Sequence, residues 1–331
     1  MLEFQLKNKE TGPATFNMAL FSLRIVFMGT PEFAVASLDA LIKAGYNIVG
    51  VVTAPDKPAG RGMKMNESAV KKYATEHGLK VLQPEKLRNP DFLEELKSLN
   101  ADLQVVVAFR MLPEVVWNRP RMGTINLHGS LLPQYRGAAP INWAVINGEK
   151  ETGVTTFKLQ HEIDTGNILM QEAILINENE TAGELHDKMK MVGSALLLKT
   201  VNAIADGSIQ EIPQTTIITD PSIIKHAPKI FTDTARIDWN KPVDEIFNLI
   251  RGLSPYPGAF TTLDGKQLKI FKAKKELVRH SLATGSVDTD QKTYLKFAGP
   301  DGYIVIDELQ LEGKRRIAIA EFLKGYRFAN T

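Results

Sequence analysis

From Leu23 onward the chain alternates short apolar, β-branched runs with segments of helical period, and no other feature narrows its fold as much. Leu23-Arg-Ile-Val-Phe-Met-Gly29 reads as a buried strand, Asn47–Thr53 as a second and Ala101–Ala108 as a third. Helix-like stretches run from Thr30-Pro31 to about Ala44-Gly45, and again near Glu67–Glu76 and Asp91–Leu99, with a short strand at Leu79–Leu82. Thr30 offers an N-cap there, and Pro31 suits the first helical position. Strands joined through helices imply right-handed crossovers, so the pattern predicts a mostly parallel sheet covered on both faces.

The texture then changes. A capping box at Thr181-Ala-Gly-Glu184 opens a helix that runs to about Ala205. Past the irregular, polar residues 209–228 come a short helix near Pro242–Arg251, the stop Pro255-Tyr-Pro-Gly258, and short strands joined by turns such as Asp264-Gly265. That is the pattern of a small β-barrel. The expected organisation is an extension outside the fold at residues 1–22, read as disordered, an α/β domain at 23–208, a linker at 209–228 and a mostly β domain at 229–331.

Cysteine is absent from the 331 residues. Disulfides, thiolate metal sites and cysteine nucleophiles are thereby excluded, and chemistry must come from oxygen and nitrogen groups. The six histidines never fall at H-x-x-x-H spacing, so no metal site is expected. No run reaches the ~18 apolar residues of a membrane span, and Met1–Ser22 lacks the basic head and apolar stretch of a secretory signal. No membrane partner and a cytoplasmic location are expected. The net charge of +2 is unevenly spread: from Ala227 on, 17 Lys and Arg face 13 Asp and Glu, leaving 23 against 25 before it.

Gly29-Thr-Pro-Glu-Phe33 follows the first strand, where a dinucleotide fold carries G-x-G-x-x-G, yet the later glycines are missing. A nicotinamide-dependent oxidoreductase is therefore disfavoured. The densest signal is Gly123-Thr-Ile-Asn126-Leu-His128-Gly-Ser130-Leu-Leu-Pro133-Gln-Tyr-Arg136-Gly137-Ala-Ala-Pro140. At strand period, Asn126 and His128 project from one face. Either they only hydrogen-bond neighbouring loops, or they work on a carbonyl-like carbon, the amide stabilising an oxyanion and the imidazole handling a proton. Asp164, in the loop His161-Glu-Ile-Asp-Thr-Gly-Asn167, is either an ordinary turn residue or a carboxylate that orients an imidazole. The Gly-flanked Arg61, with Lys64, and the cluster Lys314-Arg315-Arg316 are either solvated surface or contacts to a phosphate backbone.

Taken together, from about Leu23 to the C-terminus, these segments resemble the methionyl-tRNA formyltransferase family. The likeness rests on Gly-Thr-Pro-Glu-Phe-Ala after the first strand, Pro-Ala-Gly-Arg-Gly, Asn-x-His with the Ser130–Pro140 string, Glu-Thr-Gly-Val-Thr, Asp-Thr-Gly, and Ala-Arg-Ile-Asp-Trp at the start of the last domain. The resemblance implies a Rossmann-like formyltransferase domain followed by an OB-like barrel that binds tRNA. It implies a catalytic trio of Asn126, His128 and Asp164, with folate contacts at Ser130, Leu131, Leu132 and Pro133. It further implies 10-formyltetrahydrofolate as co-substrate, initiator methionyl-tRNA as partner, and a tRNA-reading loop at Pro58–Lys64 whose Arg61 engages the acceptor stem. A monomer is expected. Two departures stand out: Ala108-Phe109-Arg110 where Ala-Tyr-Gly is usual, and Met63-Lys64-Met65 in place of a Lys-Lys pair. The rivals are a formyltransferase acting on a nucleotide sugar or glycinamide ribonucleotide, and a non-catalytic RNA-binding protein.

Overall fold

The computed structural model describes residues 23–59, 64–218 and 220–328. The segment 1–22, read above as an extension, and Arg61 lie outside the described residues. In chain order the first elements are β1 Arg24–Gly29, α1 Glu32–Lys43, β2 Asn47–Val52, β3 Lys57–Ala59, β4 Lys64–Asn66, α2 Ala69–Glu76, β5 Val81–Leu82 and α3 Pro90–Ser98. They continue through β6 Leu103–Val107, α4 Glu114–Trp117, β7 Thr124–His128, β8 Arg136–Gly137, α5 Pro140–Ile146, β9 Glu151–Lys158, β10 Ile168–Leu175 and α6 Ala182–Ala205. After β11 His226–Ala227 come α7 Val243–Gly252, β12 Ala259–Leu263, β13 Lys266–Leu277, β14 Val287–Thr289, β15 Leu295–Ala298, β16 Gly302–Leu311, β17 Ile317–Ala318 and α8 Ile319–Gly325.

The chain forms two compact units. One is drawn from the stretch ending at His128, Val154–Glu172 and Lys190–Thr219, the other from Gly129–Gly153, Ala173–Met189 and Asp220 onward. In the first, the strands run β10-β9-β7-β6-β1-β2-β5 across one sheet. β1 pairs in parallel with β2 and β6, β6 with β7, and β2 with β5, while β7 meets β9 antiparallel. The sheet is thus mostly parallel, as the alternation predicts. Ile25, Val26, Phe27 and Met28 are all buried, because a strand covered on both faces has no solvent side to spend on polar residues.

Three helix starts follow side-chain chemistry. Ser68 Oγ accepts from Lys71 N at 3.0 Å, and Asn89 Oδ1 accepts from Asp91 N at 2.8 Å with Pro90 in the first position. Thr30, expected to cap α1, does not: Pro31 occupies that position without a side-chain cap, and the Thr30 carbonyl accepts from Val70 N. The box at Thr181 forms as expected, with Thr181 N donating to Glu184 Oε2 at 2.9 Å and Glu184 N to Thr181 Oγ1 at 3.3 Å. Among the described residues no helix is long and apolar enough to cross a membrane.

In the second unit the order β12-β13-β16-β15-β14 makes an antiparallel sheet, with β17 added beside β16. The long β13–β16 ladder shifts register between Ile270 and Lys272 and again before Ala273. Such bulges bend a strand, which curls this sheet into an OB-like half-barrel. Val243, Ile246, Phe247 and Ile250 of α7 pack with Leu268, Ile270, Phe297, Ile304 and Leu309 in one apolar core.

The Thr181 N–H holds the Glu184 carboxyl below its usual range. A depressed carboxyl contributes stability that is present above the ordinary Glu value of about 4.3 and lost as pH falls through the folded value. Thr181→Ala should cost about 1 kcal/mol in urea unfolding at neutral pH. Glu184→Gln should flatten the acid side of the stability curve, and an unchanged curve would contradict this.

Candidate active site

Strand β7 alternates by necessity. Ile125 and Leu127 are buried in the core, so period two turns Thr124, Asn126 and His128 to the other face. Thr124 is absorbed structurally, its hydroxyl donating to the Trp117 carbonyl at 2.6 Å. Asn126 sits opposite Val106 of β6 and Phe157 of β9, and His128 opposite Thr155. Asn126 is half-buried and His128 almost fully buried. The His128 ring meets Phe157 edge-on, with centroids 6.4 Å apart, which limits its tilt.

Asp164 comes to this imidazole from the loop between β9 and β10. Its Oδ2 lies 3.8 Å from His128 Nδ1, within ion-pair range but longer than a hydrogen bond. Asp164 has φ of +55°, a left-handed conformation that Asp tolerates better than most residues. Gln214, only 2% exposed, holds that turn: its Nε2 donates to Asp164 O at 2.8 Å and to Gly166 O at 2.9 Å. Gly166 approaches β9 so closely that a Cβ there would lie 1.6 Å from Lys158 O. Glu211 braces the same loop base, accepting from Lys158 Nζ at 2.7 Å and Asn167 Nδ2 at 3.0 Å. The Lys158 ammonium keeps its carboxyl below the ordinary range.

Three of the residues singled out in the sequence are therefore brought together, namely Asn126, His128 and Asp164. Gln214 is the residue that sequence reasoning misses, since it falls in the segment read as linker and no local pattern marks it. An amide and an imidazole on one strand face, with a carboxylate turned to the imidazole, can stabilise an oxyanion and move a proton.

The other candidates differ in what they are engaged with. Ser130 is fully buried and its hydroxyl donates to Gln134 O at 2.6 Å. Leu132 and Pro133 are buried, joined by a cis peptide, and Leu131 is half-buried. The backbone of Lys64 pairs with Ala59 in the β3–β4 ribbon that flanks the Arg61 segment. Lys314 is exposed and Arg315 pairs with Glu321. Arg316 forks onto Glu308 at 2.8 and 2.6 Å and lies 4.3 Å over the Phe271 ring. Arg110, at a departure from the family pattern, ties its chain to the Pro84 and Glu85 carbonyls. His161 pairs with Glu114 at 3.3 Å, and among the described residues no three His, Asp or Glu are grouped to hold a metal.

The chain is similar to known proteins along most of its length. Residues 23–201 match the formyl transferase family and residues 229–327 the formyl transferase C-terminal domain. The methionyl-tRNA formyltransferase of Parabacteroides distasonis is 56% identical over 311 residues, covering 92% of this chain and 96% of its own. That of Flavobacterium johnsoniae is 51% identical over 312 residues, covering 93% and 98%. Among solved structures, an N-formyltransferase from Helicobacter canadensis aligns with a TM-score of 0.65 at 22% identity, over 89% of this chain and 100% of that one. This last likeness is one of fold.

Gln214→Ala would leave two loop carbonyls without their buried donor and should cost ~1–3 kcal/mol of stability by urea unfolding. Gly166→Ala should cost at least as much, because its neighbour is backbone and cannot rotate away. Wild-type stability in both variants would remove Gln214 and Gly166 from the account.

Proposed function

The chain belongs to the methionyl-tRNA formyltransferase family, and we propose that it takes 10-formyltetrahydrofolate as formyl donor and works through Asn126, His128 and Asp164. Its reaction is formylation of the α-amine of methionyl-initiator tRNA, giving N-formylmethionyl-tRNA for translation initiation. The nucleotide-sugar and glycinamide-ribonucleotide readings are not favoured, because full-length relatives at 51 and 56% identity are methionyl-tRNA formyltransferases. A non-catalytic RNA-binding role is disfavoured by the same relatives.

What carries the assignment of roles is the His128–Asp164 approach on the strand face that also presents Asn126. The donor set fits a formyl donor, since a neutral amide and an imidazole suit acyl transfer. The folate supplies the formyl carbon as an activated amide on N10. The methionyl amine attacks that carbon, one C–N bond forming as the bond to N10 breaks, and the amine's proton passes to the departing nitrogen. Asn126 donates to the oxygen on which charge develops, a contact of a kind whose loss costs roughly 10²–10³ in rate. His128 lies on the same face to donate to that oxygen and to relay the proton. Asp164 Oδ2 faces Nδ1 at 3.8 Å and orients the ring.

Ser130, Leu131, Leu132 and Pro133 are assigned to the folate. Ser130 acts through the turn its hydroxyl holds, and half-buried Leu131 offers the apolar contact. Arg61 and Lys64 are assigned to the acceptor stem, and Lys314, Arg315 and Arg316 to the phosphate backbone. Of these last, exposed Lys314 makes the direct contact while Arg316, forked onto Glu308, frames it. The protein acts as a monomer in the cytoplasm, where its tRNA substrate is used.

The reaction is tested by incubating the protein with 10-formyltetrahydrofolate and either charged initiator or charged elongator methionyl-tRNA, then separating the released amino acids. Formylmethionine should form on the initiator and far more slowly on the elongator. Formylation of neither would overturn the reading.

A further inference from the structure

A depression of about 510 Å³ opens in the second unit. Its wall is made by the segment after β11, by the turn before β12 and by β13, with the loop leading into α5 and that helix's first turn at its edge. Two aromatic rings stand at it almost unburied, Tyr256 at 83% and Phe231 at 62% exposure. Neither contributes much to the core, so packing does not explain them. Tyr256 lies between Pro255 and Pro257, whose rings fix their own φ, so the backbone that carries it is stiff. Phe231 follows closely on an anchored point, since Trp143 Nε1 donates to the Pro228 carbonyl at 2.8 Å.

The charge of the depression has one sign. Its lining includes Lys229 and Lys269 and no carboxylate. The Lys229 ammonium is 5.5 Å from the Phe231 ring centroid, and Lys269 Nζ donates at 2.8 Å to the carbonyl of Pro257, the residue after Tyr256. Lys269 has further N–H donors beyond that bond. Exposed rings with flanking cations are the chemistry by which proteins hold unpaired nucleotides, the base stacking on the ring and the phosphate meeting the ammonium. An acidic peptide would use the lysines but leave the two rings unexplained.

We propose that this depression is a subsite for one unpaired nucleotide of the tRNA substrate, its base packed against both Tyr256 and Phe231 and its phosphate held by Lys229 and Lys269. This rests on the reading of initiator methionyl-tRNA as substrate. It adds four residues to those assigned above to the tRNA.

The test uses the full chain and two measurements. In steady-state formylation with each substrate varied in turn, Tyr256→Ala and Phe231→Ala should each raise KM for methionyl-tRNA about 10-fold, with kcat and the donor KM within about twofold of wild type. Tyr256→Trp should keep the wild-type KM, which a merely structural loss would not allow. Lys229→Gln should lower the slope of log KM against log salt by about 0.7. In the second measurement, fluorescein-labelled uncharged initiator tRNA is titrated against wild type and the Tyr256→Ala/Phe231→Ala double variant, and Kd should rise at least 10-fold in the variant. Equal Kd values overturn the subsite whatever formylation shows. A wild type that binds tRNA through the two rings yet forms no formylmethionine would sink the reaction and keep the subsite.

Discussion

Strand β7 is bonded on both edges, in parallel to β6 and antiparallel to β9, and its register decides the site. A slip by one residue would turn Ile125 and Leu127 out of the core and Asn126 and His128 into it. Setting an amide and an imidazole among apolar side chains without partners costs roughly 1–3 kcal/mol each. Core packing thus fixes which face the reactive groups occupy. The chemistry is aimed by residues that take no part in it.

One face of one strand supplies only the amide and the imidazole. The carboxylate arrives from a separate loop, and its position depends on contacts that span the sequence. Gln214 reaches back to Asp164 and Gly166, Glu211 to Lys158 and Asn167, and Gly166 lies where no side chain fits. Both carbonyls that Gln214 satisfies belong to backbone in tight or left-handed geometry, which needs an outside donor to persist. The segment between the two matched family regions is therefore part of the site's support as well as a connection.

Much of this was legible in the residues. The α/β alternation survives because β1, β2 and β6 are buried strands whose apolar runs need no solvent face. The pairing of Asn126 with His128 is visible because strand period is local. Asp164 remained balanced between turn and carboxylate, since only the fold brings it to His128. Gln214, and the engagement of Arg316 with Glu308 and Phe271, were illegible for the same reason: these partners, like Asp164 and Gly166, are set by tertiary geometry. Thr30 failed as a cap because Pro31 and the contact to Val70 decided that turn, and neither is a local propensity of threonine.

The claim on which the rest turns is that three groups, Asn126, His128 and Asp164, act as one transfer site. Single-turnover formyl transfer from 10-formyltetrahydrofolate to initiator methionyl-tRNA, followed by rapid quench for wild type, Asn126→Ala and Asp164→Ala, tests it most directly. The account predicts that the transfer rate falls by roughly 10²–10³ in Asn126→Ala and falls strongly in Asp164→Ala, with both proteins still folded. Rates near wild type in both would contradict it.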